Sequence, residues 1–347
     1  MIWEKYKRNF TESALKAGYD SMYIEENLKK AHSLHLQGIP IIYDQMHLSY
    51  LVGYDIEYLL KVSNSQKGFY RYFKIPKKNG GFRNIAEPLP NLKSIQKWIL
   101  EEMLYSCKTS EFAKAYKKNV SLKDNARFHR GQKMVLTIDI KDFFGSIRHI
   151  DVYNFFSSLG YSQDVATLLT NLCTLKGALP QGAITSPALS NLLMKDIDKR
   201  ISAFSKKKKI RYTRYADDLT FSGDFQVGEI IKFVTTVLRS KGFSINDKKT
   251  RVRFPHQRQE VTGIIVNQKI QAPCEMRKEL RKNIYFIKKY GLNSHLEFIK
   301  KDKYQYLKHL LGIANHIYFI NPTDSRVYEY LNYLKELWQV EKITSED

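Results

Sequence analysis

The sequence predicts an α+β fold in which helices lie on one side of an antiparallel sheet and further helical segments flank it at both ends. Three observations support this prediction. Residues 134–140, MVLTIDI, form a short, apolar, β-branched run typical of a buried strand. Residues 211–223, RYTRYADDLTFSG, have the pattern of two strands around a tight turn. The first sixty residues and residues 275–340 have apolar side chains at helical spacing.

The other elements follow from local signals along the chain. Gly-Ile-Pro at 38–40 breaks the N-terminal helical region into two parts. Residues 70–88 alternate on both sides of Asn79-Gly80-Gly81, which predicts a hairpin. We further expect helices over 91–107, 151–175, 186–204 and 228–243, and short strands within 244–254 and 260–267.

Composition narrows the class of protein. The chain has 347 residues, enough for about two domains, and 43% hydrophobic residues, enough to form a core. Its 57 Lys and Arg exceed its 35 Asp and Glu, giving a net charge of +22 that favours a polyanionic partner such as nucleic acid. No apolar run approaches the roughly 18 residues of a membrane span, and Glu4 lies where a signal peptide would be apolar.

The most informative motif is Tyr215-Ala216-Asp217-Asp218 between two β-like segments. Adjacent strand residues point to opposite faces, so neighbouring aspartates converge on one site only at a turn. Asp139, near the end of its own predicted strand, supplies a third carboxylate. Carboxylates without His or Cys suit Mg²⁺, and a pair of such ions can activate a hydroxyl and stabilise a leaving phosphate oxygen.

Paired aspartates have a purely structural explanation as well, because Asp favours turns. A lone Ala-Asp-Asp would usually be such a turn. The apolar flanking strands, together with the upstream strand that ends near Asp139, favour the metal site instead.

These motifs resemble a known family. YADD, preceded by LTIDIKDFF (136–144) and LPQGAITSPALSN (179–191), is similar to the palm of reverse transcriptases in order and spacing. The resemblance implies a right-hand polymerase with fingers, palm and helical thumb. It also implies that Asp139, Asp217 and Asp218 are the catalytic, metal-binding triad, with two Mg²⁺ ions present during catalysis.

The same resemblance implies residues that bind the deoxynucleoside triphosphate. Phe144 matches the aromatic gate that excludes a ribose 2′-hydroxyl, and Gln181 matches a residue lining the nucleotide pocket. Lys248 or Lys249 resembles the palm lysine that protonates the leaving pyrophosphate.

The segment IPKKNGGFR resembles the fingers hairpin. On that basis Lys78 and Arg83 contact the triphosphate, with Lys77 as the alternative to Lys78. Cationic groups there would offset charge on the transferring phosphoryl group.

Two further segments resemble motifs of bacterial retron reverse transcriptases, NAxxH before the palm and VTG after it. The resemblance implies that their residues recognise RNA. It also implies a structured noncoding RNA partner (msr-msd), priming from the 2′-hydroxyl of an internal guanosine, and a branched RNA–DNA product, msDNA. Further expectations are a role in antiphage defence with a separate effector protein, RNA removal by host ribonuclease H, no membrane, and a bacterial cytoplasmic location. The residues concerned are Asn125, Ala126, His129, Val261, Thr262 and Gly263.

We divide the chain accordingly into an N-terminal helical extension, fingers, palm and thumb. The thumb interleaves basic and aromatic residues, a composition suited to tracking a duplex backbone, although amphipathic helices with a solvated charged face share it. Part of the fingers is expected within the palm range, at 145–180. The four ranges are 1–65, 66–132, 133–270 and 271–347.

Two alternatives remain open from the sequence. One is a group II intron-like or other bacterial reverse transcriptase. The other is a largely noncatalytic RNA-binding scaffold or antitoxin in a defence complex, which the intact aspartate triad disfavours as the sole role.

Overall fold

The computed structural model describes residues 3–77 and 80–346, with side chains described as far as residue 339. Its helices and strands alternate in the middle of the chain, and helices occupy both ends. The helices are α1 Trp3–Lys16, α2 Ser21–Leu36, α3 Gln45–Val52, α4 Ile56–Asn64, α5 Pro90–Trp98, α6 Leu122–Phe128, α7 His149–Ser158, α8 Gln163–Cys173, α9 Ser186–Leu193, α10 Lys195–Lys207, α11 Val227–Arg239, α12 Cys274–Tyr290, α13 Leu292–Ile299, α14 Lys303–Ile320 and α15 Ser325–Glu346. The strands are β1 Tyr70–Pro76, β2 Phe82–Pro88, β3 Met134–Asp139, β4 Arg211–Tyr215, β5 Asp218–Gly223, β6 Arg251–Arg253, β7 Glu260–Val261 and β8 Ile264–Ile265.

The N-terminal region is helical and is interrupted between α2 and α3, where the sequence predicts a break. Aspartates fix two of the helix starts: Asp20 accepts a hydrogen bond from the Tyr23 N–H, and Asp44 accepts one from the His47 N–H. Strands β1 and β2 then form the predicted antiparallel hairpin. Both predictions are confirmed.

The central sheet has the strand order β4-β5-β3-β6 and is antiparallel throughout. Because side chains alternate along a strand, its two faces have different neighbours. Leu136, Ile138 and Phe221 pack into a large core formed with the N-terminal helices and α7–α11. Val135, on the opposite face, belongs to a second core that contains Ala126, the β7–β8 hairpin and the C-terminal helices. The sheet therefore separates two hydrophobic cores. The α+β class is confirmed, but helices pack against both faces and not one side as predicted, because α6 and the C-terminal helices share a core with the second face.

Two helices predicted as continuous are interrupted. The predicted helix over 151–175 is α7 followed by α8, because the chain turns at Gly160, whose φ of 104° is a left-handed value that favours glycine. Ser162 then begins α8 by accepting a hydrogen bond from the Val165 N–H. Likewise 186–204 is α9 and α10, which meet at the buried Met194.

The N-terminal helices share a core with the sheet, because Leu48 and Leu59 belong to the same cluster as Leu136. The division into 1–65, 66–132, 133–270 and 271–347 stays a prediction. Among the described residues, no helix is both long enough and apolar enough to cross a membrane.

Candidate active site

The register of the central sheet brings the predicted carboxylates together. Strands β3 and β5 pair so that Asp139 lies opposite Asp218, and β4 and β5 pair so that Tyr215 lies opposite Asp218. Only Ala216 and Asp217 remain between β4 and β5, so Asp217 lies on the hairpin turn next to the facing aspartates. The β4–β5 hairpin and β3 thus carry all three carboxylates at one end of the sheet.

The turn that carries Asp217 has an unusual backbone. Ala216 has φ 56°, a left-handed conformation that L-residues other than glycine adopt at a cost. The Ala216 carbonyl accepts a hydrogen bond of 3.1 Å from Nη1 of Arg214. This contact holds the turn from inside the protein.

Arg214 belongs to a buried polar network beneath the turn. Its Nε donates to Oδ1 of Asp198 at 2.9 Å and its Nη2 to Oδ2 at 2.8 Å, and both side chains are fully buried. Tyr212 Oη donates to the same Asp198 at 2.8 Å, and Arg214 Nη1 also reaches Oδ1 of Asn191 at 3.1 Å. Sequence reasoning missed this network. Its signal in the sequence was an arginine that shares the core-facing side of β4 with Tyr212.

Lys249 lies against the carboxylate of Asp139. Its Nζ is 2.8 Å from Oδ1, and Nδ2 of Asn246 donates to Oδ2 at 3.1 Å. The hydrogen bond to Asp139 raises the pKa of Lys249, so the ammonium stays charged. The structure thus brings Lys249 to the triad, although both lysine side chains are exposed. A leaving-group role for Lys248 stays a prediction.

The crowded carboxylates resist ionisation. Burial raises the pKa of Asp217, and the neighbouring Asp139 raises it further, against the opposing effect of Lys249 and Arg83. Burial, Asp217 and Asp139 together raise the pKa of Asp218 from 3.8 to about 7. A cation bound between these groups would offset the repulsion.

The donor set suits a hard divalent ion, which prefers carboxylate oxygens. As the side chains stand in the described part of the chain, no three His, Cys, Asp or Glu converge closely enough to hold a metal ion. The Asp139 oxygens instead face Lys249 and Asn246. Asp139 and Asp217 would hold such ions once the Lys249 contact is released, and the ions would supply activation of the attacking hydroxyl and stabilisation of the leaving oxygen.

Residues predicted to bind the nucleotide lie on elements around the triad. Arg83, on β2, is close enough to lower the pKa of Asp217. Gln181 is half-buried, and its carbonyl accepts a 2.9 Å hydrogen bond from the Ala86 N–H, joining the loop before α9 to the β1–β2 hairpin. A Cβ on Gly182 would lie 2.5 Å from the Ala86 carbonyl oxygen, so this approach requires glycine.

The other nucleotide-binding predictions have mixed outcomes. Phe144 is half-buried and packs beside Phe143, and its role as a gate stays a prediction. Lys78 lies outside the described residues; Lys77, the alternative, is exposed. Tyr116, which sequence reasoning did not select, lies near both Asp217 and Arg83, since burial and Asp217 raise its pKa and Arg83 lowers it.

The NAxxH residues are inside the protein, and their role in RNA recognition stays a prediction. Asn125, Ala126 and His129 are fully buried. His129 bridges β5 and β4 through contacts of 2.7 Å to the hydroxyls of both Ser222 and Thr213. They are buried because α6 covers the sheet face that carries these hydroxyls.

The VTG residues form the turn of the β7–β8 hairpin. Val261 is fully buried, whereas Thr262 and Gly263 occupy the turn with φ 47° and 82°. Thr262 Oγ1 accepts a 3.5 Å hydrogen bond from Nδ2 of Asn125, which links the two motifs. Recognition of RNA by Thr262 and Gly263 stays a prediction.

Comparison with known proteins agrees with this geometry. Residues 75–308 match the family model described as reverse transcriptase (RNA-dependent DNA polymerase). The chain is 34% identical to the Retron Ec86 reverse transcriptase of Escherichia coli, over 76% of this chain and 83% of that protein. The chain belongs to the retron reverse transcriptase family. It is an RNA-directed DNA polymerase, and its partner is an RNA template.

Two other proteins are similar to this enzyme. It is 32% identical to the Retron Mx65 reverse transcriptase of Myxococcus xanthus, over 73% of this chain but only 62% of that relative. Among solved structures, telomerase from Candida albicans in complex with a fragment of telomeric RNA aligns with a TM-score of 0.44 and 13% identity, covering 77% of this chain and 63% of that one.

The buried network beneath the turn predicts that substitutions can restore the stability of the protein without restoring its activity. Arg214→Met leaves the Asp198 carboxylate buried without its partner, which should cost about 3–5 kcal/mol in the free energy of unfolding. The double variant Arg214→Met/Asp198→Leu should recover much of that stability. DNA synthesis should stay low in the double variant, because the Ala216 carbonyl has lost its donor.

Urea unfolding and primer extension on an RNA template measure the two effects. Lys30→Met/Glu26→Leu, which removes an exposed ion pair, is the matched control and should change neither by much. Full activity in the stable double variant would contradict the role of Arg214 in holding the turn.

The raised pKa of Asp218 predicts a pH-dependent stability without metal. A carboxyl with a higher pKa in the native than in the unfolded state stabilises the protein at low pH, and that stability is lost as pH rises from 3.8 to about 7. Asp218→Asn should therefore be more stable than wild type at pH 8, by about 1–2 kcal/mol after allowance for solvent screening.

The measurement is thermal unfolding in a chelator at pH 5 and pH 8. The advantage of Asp218→Asn should shrink at the lower pH. The exposed Asp224→Asn is the control, since its carboxylate lies at the surface and pairs with the exposed Lys133. An equal advantage at both pH values would rule out Asp218 as the titrating group.

The burial of His129 predicts that its replacement acts on stability. Burial lowers its pKa to about 3, so the ring is neutral. His129→Ala should cost about 2–4 kcal/mol, because it leaves a cavity and a buried Ser222 hydroxyl without a partner, while the Thr213 hydroxyl keeps its hydrogen bond to Asn125. RNA affinity per folded molecule should stay unchanged, with the exposed His256→Ala as control. If His129→Ala bound RNA more weakly but were as stable as wild type, the result would support a direct contact between His129 and RNA.

Proposed function

We propose that this enzyme performs retron-type DNA synthesis. It binds a cognate structured noncoding RNA (msr-msd), begins synthesis at the 2′-hydroxyl of an internal guanosine and copies the same RNA. The product is a branched RNA–DNA molecule, msDNA. The observation that carries the proposal is the similarity to retron reverse transcriptases, joined to the register that sets Asp139 opposite Asp218 beside Asp217.

Each group has a role in this proposal. Asp139 and Asp217 hold two Mg²⁺ ions, and Asp218 adds negative charge beside them. Arg83 contacts the triphosphate, with Lys78 as its predicted partner. Phe144 and Gln181 line the deoxynucleotide pocket. Lys249 is favoured over Lys248 as the cation at the reacting centre, because it already contacts Asp139.

The proposed biological role involves other proteins. Host ribonuclease H removes template RNA, and the enzyme acts in antiphage defence with a separate effector protein. The alternative left open by the sequence is a group II intron-like or other bacterial reverse transcriptase, which would extend an ordinary 3′-hydroxyl and would yield no branched product.

The deciding experiment recovers the nucleic acid that copurifies with the enzyme and tests for a 2′,5′ branch. Wild type should yield a branched species and should extend a primer on an RNA template with Mg²⁺. Asp217→Asn should lower both by about 100-fold or more, since several kcal/mol of transition-state stabilisation depend on the metal.

Asp224→Asn is the control, because it removes the same charge from an exposed site. Extension of 3′-hydroxyl primers without any branched species would contradict retron-type priming. Activity that survives in Asp217→Asn would contradict the site itself.

A further inference from the structure

A polar cleft of about 470 Å³ lies on the open face of the central sheet beside Asp218. It is lined by alternate residues of three strands, which place their side chains on the same face. The VTG turn closes one side of it. We call it the arginine cleft; its lining comprises Val135, Thr137, Asp218, Thr220, Arg251, Arg253, Arg258, Glu260, Thr262 and Gly263.

Two of the arginines in the cleft have no carboxylate partner among the described residues. Arg258 is bound by Glu260 and Glu275 at 2.8 and 2.9 Å, so its charge is offset. Arg251 and Arg253, on β6, form no ion pair within the described part of the chain, and Arg253 donates only to a backbone carbonyl. With the hydroxyls of threonines beside them, they form a site for an anion such as a phosphodiester.

The arginine cleft is close to the reacting centre. Arg251 pairs with Thr137, which precedes Asp139 by two residues on β3, a separation of about 7 Å along the strand. Strand β6 is the edge of the sheet, and Arg251 is exposed. A nucleic acid strand can therefore enter or leave the cleft without crossing the β4–β5 hairpin.

Priming from a 2′-hydroxyl places an additional phosphodiester next to the reacting atoms, which priming from a 3′-hydroxyl does not. In the reaction the 2′ oxygen bonds to the α-phosphorus of the deoxynucleotide, the bond to pyrophosphate breaks, and the hydroxyl proton passes to solvent. The priming nucleotide keeps its own 3′ phosphodiester throughout. An RNA strand thus continues from the carbon next to the reacting hydroxyl, whereas a 3′-hydroxyl primer has no phosphate there.

We propose that the arginine cleft binds the phosphodiester of this continuing RNA strand, an inference that rests on the proposed 2′ priming. Arg251 and Arg253 offset its charge, and Thr137 and Thr220 supply hydroxyl donors. The cleft thereby distinguishes the branched substrate from a primer that ends in a 3′-hydroxyl. Contact with the backbone of any primer is the competing assignment, which the experiment below distinguishes.

The test compares two substrates with Arg251→Gln, Arg253→Gln and the double variant. One substrate is the structured RNA recovered with the inactive Asp217→Asn enzyme, whose guanosine 2′-hydroxyl is still free, and it reports 2′ initiation. The other is a primer with a 3′-hydroxyl annealed to an RNA template. Initiation on the structured RNA should fall about 10-fold or more per lost charged contact, whereas 3′ extension should fall by no more than about threefold.

Arg239→Gln is the matched control, because Arg239 is exposed on α11, which packs against the other face of the sheet. It should affect neither reaction. An equal loss on both substrates would assign the cleft to general primer contact, and no loss on either would show that it binds no nucleic acid; both results overturn the proposal.

A binding measurement separates this proposal from the proposed function. Its probes are a synthetic oligonucleotide with a 2′,5′-linked deoxynucleotide branching from an RNA guanosine, and its linear counterpart without the continuing strand. Wild type should bind the branched probe at least about 10-fold more tightly, and Arg251→Gln/Arg253→Gln should lose that preference. Wild type that makes no branched product refutes the proposed function, while equal affinity for the two probes refutes the cleft assignment.

Discussion

The antiparallel register between β3 and β5 is the constraint on which the active site depends. It sets Asp139 opposite Asp218 and leaves Asp217 on the adjoining turn. A shift of one residue would exchange the faces of every side chain on β3. Leu136 and Ile138 would then leave the large core, and Asp139 would point away from its partners. The apolar residues of the core thus determine where the carboxylates lie.

Bringing carboxylates together has an electrostatic cost, and holding one of them on a left-handed turn has a conformational cost. Behind the sheet, the fully buried Arg214 and Asp198 form a paired network that reaches the Ala216 carbonyl. In front of it, Lys249 contacts Asp139. The pKa of Asp218 nevertheless stays raised, so the site favours a bound cation. A strained turn and crowded charges at one place are typical of functional sites.

The two faces of the sheet differ in how completely they are covered by the rest of the protein. One face is sealed by the large core, whereas α6 and the β7–β8 hairpin cover only part of the other. His129, Thr213 and Ser222 join α6 to the sheet through buried hydrogen bonds. The motif NAxxH therefore helps to cover this face, and the arginine cleft, the proposed RNA site, is the part of it left open.

The sequence by itself determined the α+β class, the hairpin that carries Asp217 and the identity of the three carboxylates, because alternation, turn residues and apolar runs are local signals. Only the tertiary structure decided that Lys249 contacts Asp139 and that His129 is buried. It also decided that Arg214, paired with Asp198, supports the turn between β4 and β5. Each of these facts joins residues distant in the chain, or distinguishes neighbours such as Lys248 and Lys249 by orientation. Spacing along the sequence carries no such information, since burial and partner choice are settled when the sheet faces are covered.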